Sequence, residues 1–148
     1  MKLAWILWLA SVLPPQTADS LCLSTTVYLE ARDQSVRGQK AVAEVALRRR
    51  ENGRWGESTC DVVTAPKQFA PTLVNPGIQE GGDIEAWTRA INVALTAQKD
   101  WQQPVANRNE VVPGASHFVA LSVAQPSWRN KPLVATIGDH TFLRVDRL

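Results

Sequence analysis

Thr26-Val27-Tyr28-Leu29-Glu30-Ala31-Arg32, followed after a polar break by Gly38-Gln39-Lys40-Ala41-Val42-Ala43, anchors the architecture of this 148-residue chain. Leu23, Val27 and Ala31 recur every four residues, the spacing of one helix face. Asp33 to Ser35 interrupts that pattern. Ser35 then caps a second helix, predicted over about Val36 to Glu51, with Ala41, Val42, Val45 and Ala46 on one side. Arg48-Arg49-Arg50 closes this helix, where cations suit the C-terminal dipole, and reads as a solvated end rather than a nucleic-acid contact. Glu30 is the anomaly. It follows Leu23 and Val27 at i+7 on an apolar stripe, where partial desolvation favours the protonated carboxyl that a general acid requires. Spacing leaves a second reading open: a glutamate at a helix end, turned toward Arg32 or Arg37.

Downstream, Pro66, Pro71, Pro76 and the glycines at 77, 81 and 82 mark an irregular stretch over about Ala65 to Gly82. Loops of that length in compact domains commonly carry function. Asp83 caps the cleanest helix of the chain, with Ile84, Trp87, Ile91, Ala94 and Leu95 predicted as its core face. His117 to Leu121 reads as a short strand. Leu133–Ile137 and His140–Val145 flank Gly138-Asp139, a two-residue hairpin turn. The fold class expected is α+β, mainly helical, with a β-hairpin near the C-terminus. From Asp19 to Leu148 no repeat, low-complexity tract or linker divides the chain, so these residues form one domain.

Composition narrows the function. A chain 45% hydrophobic and 20% charged is not fibrous, wholly disordered or a multi-span membrane protein. Sixteen Lys and Arg against fourteen Asp and Glu leave a net charge of +2, without the dense basic stripe of a nucleic-acid binder. Residues Met1 to Ala18 differ from the rest. Lys2 precedes the apolar run Leu3 to Leu13 and then Pro14-Pro15. As a helix that run is roughly 16 Å long, about half a bilayer core, which matches a secretory signal rather than a membrane span. Two fates are open: cleavage near Ala18, or retention as a transient membrane tether. Export to the periplasm or beyond favours a disulfide between the only two cysteines, Cys22 and Cys60, over a lipid-modified Cys22. No CxxC, HxxxH or HExxH spacing supports a metal site.

The opening string and five later ones, in order, resemble the SleB-like cell-wall hydrolase family. These are Cys60-Asp61-Val62-Val63, Gln68-Phe69, Gly114-Ala115-Ser116-His117-Phe118, Pro126-Ser127-Trp128 and Ile137-Gly138-Asp139-His140-Thr141-Phe142. The resemblance implies a lysozyme-like fold of the goose-type and lytic-transglycosylase kind, with Glu30, the glutamate of the Tyr-x-Glu-Ala-Arg motif, as general acid. Arg48-Arg49 stands where the family commonly has Asn-Arg, Asp33 where Gly is usual, and Leu143 where an aromatic often follows Phe.

The implied substrate is the peptidoglycan glycan strand, cut between N-acetylmuramic acid and N-acetylglucosamine by a monomer without cofactor. A hydrolase needs a second carboxylate. Asp33, Glu44, Asp61 and Asp139 are the candidates, and none sits in an obvious motif. The substrate's own 2-acetamido group can take that place, which favours lytic transglycosylation over muramidase hydrolysis. Gln68, Phe69, His117, Phe118, Trp128 and His140 are expected to contact substrate. For the aromatics and His140 a purely structural role, in the core or the hairpin, is the competing reading. A non-catalytic peptidoglycan-binding module would keep the aromatics without needing Glu30.

Overall fold

The computed structural model describes residues 3–66, 68–69 and 83–145, so most of the irregular stretch predicted over Ala65 to Gly82 lies outside the described residues. Among the described residues five α-helices come first: α1 Leu3–Val12, α2 Pro15–Ala31, α3 Val36–Asn52, α4 Thr59–Thr64 and α5 Ile84–Trp101. A 3-10 turn, Val105–Asn107, leads to three strands: β1 His117–Val119, β2 Leu133–Ile137 and β3 His140–Leu143.

Local chemistry sets these boundaries. Pro15 opens α2, where its missing N–H costs nothing. The Ser35 hydroxyl accepts from Gly38 N at 3.1 Å and starts α3. Ser58 and Asp61 form a reciprocal capping box at α4. Asp83 accepts from Ala86 N at 2.9 Å and starts α5. The core forms where α2 meets α3 and α5: Leu23, Val27 and Ala31 pack with Val42, Val45, Ala46, Ala90 and Ala94. Cys22 on α2 and Cys60 on α4 are joined by a disulfide.

α5 is rotated relative to the expectation. Ile84, Ile91 and Leu95 are exposed, and the buried face is Ala86, Ala90, Val93, Ala94, Ala97 and Trp101. Small side chains win the inner face because they let two helices approach closely, and the tight α2–α5 contact rests on them. Trp87 lies at the edge of this face and stacks on Tyr28, with ring centroids 3.8 Å apart. The same contact holds the Tyr-x-Glu segment of α2 in place.

The strands form one antiparallel sheet in the order β1-β3-β2. The hairpin turns at Gly138-Asp139 as predicted, although β1 ends at Val119 and β3 at Leu143, both shorter than expected. Gly138 has φ of 56°, and a Cβ there would lie 2.2 Å from Gln34 Oε1. Gln34 clamps the turn: Asp139 N donates to its Oε1 at 3.0 Å, and its Nε2 donates to Asp139 Oδ2 at 2.9 Å. Because Gln34 follows α2 directly, this clamp seats the hairpin against the helix end that carries Glu30.

α1 packs on α2 by burying Ile6, while Trp5, Trp8 and Val12 remain exposed. Ala18 lies within α2 and is buried. Among the described residues no helix is long and apolar enough to cross a membrane.

Candidate active site

Glu30 occupies the last turn of α2 and is half-buried. Its charge acts on one buried cation, Arg49 of α3. Arg49 is only 4% exposed, contrary to the solvated helix end expected for the triple-Arg run. The reason is helical phase: Val42, Val45 and Arg49 lie on one stripe, so the third position of that stripe faces inward whatever its charge. Arg48 is also partly enclosed and pairs with Glu110 at 2.7 Å.

Arg49 is held by neutral partners. Its Nε donates to Ser116 O at 2.8 Å and a terminal nitrogen donates to Gln68 Oε1 at 3.2 Å. The guanidinium lies between two rings, 4.8 Å from the centroid of Trp55 and 4.9 Å from that of Phe69. Burial lowers its pKa to about 10 while the charge of Glu30 works in the opposite direction, so it remains a cation at neutral pH. A fixed cation near a carboxylate stabilises the ionised form that remains after the acid has given up its proton.

The expected substrate residues divide into two groups. Phe69, Phe118, His140 and Phe142 form one aromatic cluster, with Phe118 6.0 Å from Phe69 and 5.2 Å from His140. Gln68 joins this side through Arg49. His117 and Trp128 stand apart, with ring centroids 4.8 Å from each other and Trp55 5.9 Å beyond His117. The pleat explains the division, since His117 and Phe118 are successive strand residues with opposite side-chain directions. Phe69 is fully buried; Trp128 and Phe118 are half-buried. His140, at 7% exposure, carries a buried Nδ1 with no hydrogen-bond partner among the described residues.

None of the four candidate second acids has the character of a free catalytic carboxylate. Glu44 is fully buried on α3, where Val111 N donates to both its oxygens, at 2.5 and 2.9 Å, and Val112 N donates at 3.4 Å. Burial raises its pKa despite those amides. It anchors the segment leading to Gly114, and Glu44→Ala should lower stability by about 3 kcal/mol by leaving two amides without acceptors, a loss measurable by urea denaturation. Asp61 is committed to its capping box, and Asp33 and Asp139 to the side chain of Gln34. Among the described residues no three His, Cys, Asp or Glu side chains converge as a metal site would require.

His117 carries a pH dependence. Burial first, then the charges of Arg49 and Arg54, lower its pKa from 6.5 to about 4. The unfolded chain therefore binds a proton below pH 6.5 that the fold refuses until about pH 4. The stabilisation is complete above 6.5 and is lost on acidification, by about 3 kcal/mol across that window. His140, also lowered by burial, acts in the same direction; Glu44, raised, acts in the opposite one. Unfolding free energies measured from pH 7 to pH 4 should show a slope that flattens in His117→Gln.

Residues 33–143 match the family model described as cell wall hydrolase. The chain belongs to the cell wall hydrolase family. The matched span begins just after Glu30 and includes Arg49, Gln68, Phe69, Phe118 and His140. No curated relative matches the chain in sequence. Among solved structures it is similar to the catalytic domain of the germination-specific lytic transglycosylase SleB from Bacillus anthracis, at 24% identity and a TM-score of 0.64, covering 85% of this chain and 93% of that one. The family's lysozyme-like fold is therefore this chain's fold. Sequence reasoning missed two members of the site. Arg49 was legible as the i+7 position of an apolar stripe, the signal that exposed Glu30; Trp55, in an irregular segment, gave none.

Proposed function

We propose that this cell wall hydrolase is a lytic transglycosylase that cuts peptidoglycan between N-acetylmuramic acid and N-acetylglucosamine, with Glu30 as both acid and base. The observation that carries the reading is the half-buried Glu30 at the end of α2, within the field of the buried cation Arg49. Glu30 gives its proton to the glycosidic oxygen as the C1–O bond breaks. The substrate's 2-acetamido oxygen stabilises the electron-poor C1. Arg49 stabilises the carboxylate left behind, which next takes the proton from the muramoyl 6-hydroxyl as O6 bonds to C1. The product is a 1,6-anhydro end, and water has no part in the step. The engagement of Asp33, Glu44, Asp61 and Asp139 elsewhere supports a route that needs no second carboxylate.

Gln68, Phe118, Trp128 and His140 are assigned to the sugar-binding surface, with Phe69 and His117 as its buried support. The enzyme works outside the cytoplasm as a monomer. Its N-terminal segment serves as signal or tether, with the exposed Trp5 and Trp8 suited to a lipid interface if it is retained. Because Ala18 lies inside α2, cleavage there acts on the chain before that helix forms. N-terminal sequencing of the exported protein separates the two fates. Mass spectrometry of digested sacculi tests the chemistry: 1,6-anhydromuramic ends are expected, and fully reducing muramic ends would replace transglycosylation by hydrolysis.

A further inference from the structure

α3 and α5 leave a groove of about 580 Å³ between them, lined by none of the residues assigned to the site so far. Val36 and Lys40 of α3 face Thr88, Asn92, Val93 and Thr96 of α5 across it. Small-molecule sites usually span roughly 300–1,000 Å³, so the groove is large enough for one. Its charged groups are already matched. Glu85 and Arg89 pair at 3.2 Å. Lys40 Nζ donates to Asn109 O at 2.6 Å and lies 3.6 Å from Asp100 Oδ2. Two of its uncharged groups are not. The Thr88 hydroxyl donates to Ile84 O at 2.8 Å, but among the described residues no hydrogen bond engages the side chain of Asn92 or Thr96. Both are exposed. Val36, 58% exposed, and the nearly buried Val93 add apolar surface. The groove therefore suits a neutral ligand that carries hydrogen-bonding groups and apolar faces together.

We infer that this groove is a second glycan-binding site, which takes an N-acetylhexosamine unit of a wall strand. The inference rests on the peptidoglycan reading above and adds a place where the wall is held without being cut. An acetamido group presents an N–H donor, a carbonyl acceptor and a methyl. The Asn92 carboxamide offers the reciprocal acceptor and donors, and the Thr96 hydroxyl, one turn further along the same face of α5, meets a ring hydroxyl. The acetyl methyl and the apolar ring face lie against Val36 and Val93, which removes apolar surface from water. An ionic ligand gains less, because it must compete with the pairs Glu85–Arg89 and Lys40–Asp100. Val36 opens α3 just after the turn that ends the helix of Glu30, and Trp87, beside Thr88, stacks on Tyr28. The groove thus begins at the end of the helices where the candidate acid lies. A strand held there keeps the enzyme on the wall between cuts.

The test uses the full chain, isotopically labelled for NMR, and two soluble probes: the N-acetylglucosamine trisaccharide, and cellotriose, which lacks the acetamido groups. Neither contains a muramoyl residue, so binding is read independently of lytic activity. The N-acetylated probe should shift the Asn92 side-chain amide signals saturably and bind there about tenfold more tightly than cellotriose. In Asn92→Ala/Thr96→Ala its affinity, read at the backbone signals of Thr88 and Val93, should fall by about tenfold. Both positions are exposed, so the variant should fold, with an unchanged melting temperature as the check. No saturable shift at the groove, equal affinity for the two probes, or unchanged affinity in the double variant would overturn the site. Failure of the chain to cut sacculi, with groove binding intact, would overturn the lytic reading and leave the site standing. Digestion of sacculi without groove binding would do the reverse.

Discussion

Glu30→Gln should lower the rate of sacculus digestion by about 10²–10⁴-fold while leaving the fold intact. Glutamine keeps the size and hydrogen-bonding reach of the side chain but has no proton to give to a leaving oxygen. The loss should appear in kcat more than in KM, because the proton moves only in the transition state. Arg49 sharpens the expectation. With the carboxylate gone, its buried charge loses the one acid whose field reaches it, so the stability change in Glu30→Gln should be small and negative rather than positive. Turbidity loss of purified sacculi, with thermal melting of the same sample, reads both quantities. Activity within a few-fold of wild type would remove Glu30 from the chemistry and favour a wall-binding module.

Reduction of the Cys22–Cys60 bond should lower stability by about 4 kcal/mol, the loop-closure entropy of its 38-residue separation. For a chain of this size that loss corresponds to a fall of roughly 10–15 °C in melting temperature. The bridge ties α4 to α2, the helix that carries Glu30, and the chain from α4 leads directly to Gln68 and Phe69. Activity should therefore be lost at a lower temperature in reductant than the wild-type melting curve alone would give. Melting with and without reductant, alongside Cys22→Ala/Cys60→Ala, measures the effect. Identical melting temperatures would show that the fold does not depend on this link.

Glu30 and Arg49 show how far one rule of spacing reaches. Each is the i+7 member of an apolar stripe, Leu23–Val27–Glu30 on α2 and Val42–Val45–Arg49 on α3. Read in isolation, the first stands out as an intruder among apolar residues. The second is hidden in a run of three arginines at a helix end, where the macrodipole offers a ready and wrong explanation. The core face of α5 fails for a related reason. Periodicity and the Asp83 cap identified the helix and its start, but large apolar residues mark two possible stripes, and the choice between them belongs to the partner helix. α2 needs close approach, so the alanines turn inward and Ile84, Ile91 and Leu95 turn out.

Helix starts at Ser35 and Asp83, the turn at Gly138-Asp139 and the placement of Glu30 all follow from interactions within a few residues. They are readable from the chain for that reason. The partition of the aromatic residues into two groups, the burial of Arg49 against Phe69, and the capture of Glu44 by the amides of Val111 and Val112 join residues about twenty or more positions apart. No local pattern encodes those meetings. They arise because α2, α3 and α5 close on a shared core, the Gln34 clamp draws the hairpin onto it, and each buried polar group must then take whatever partner the packing leaves beside it.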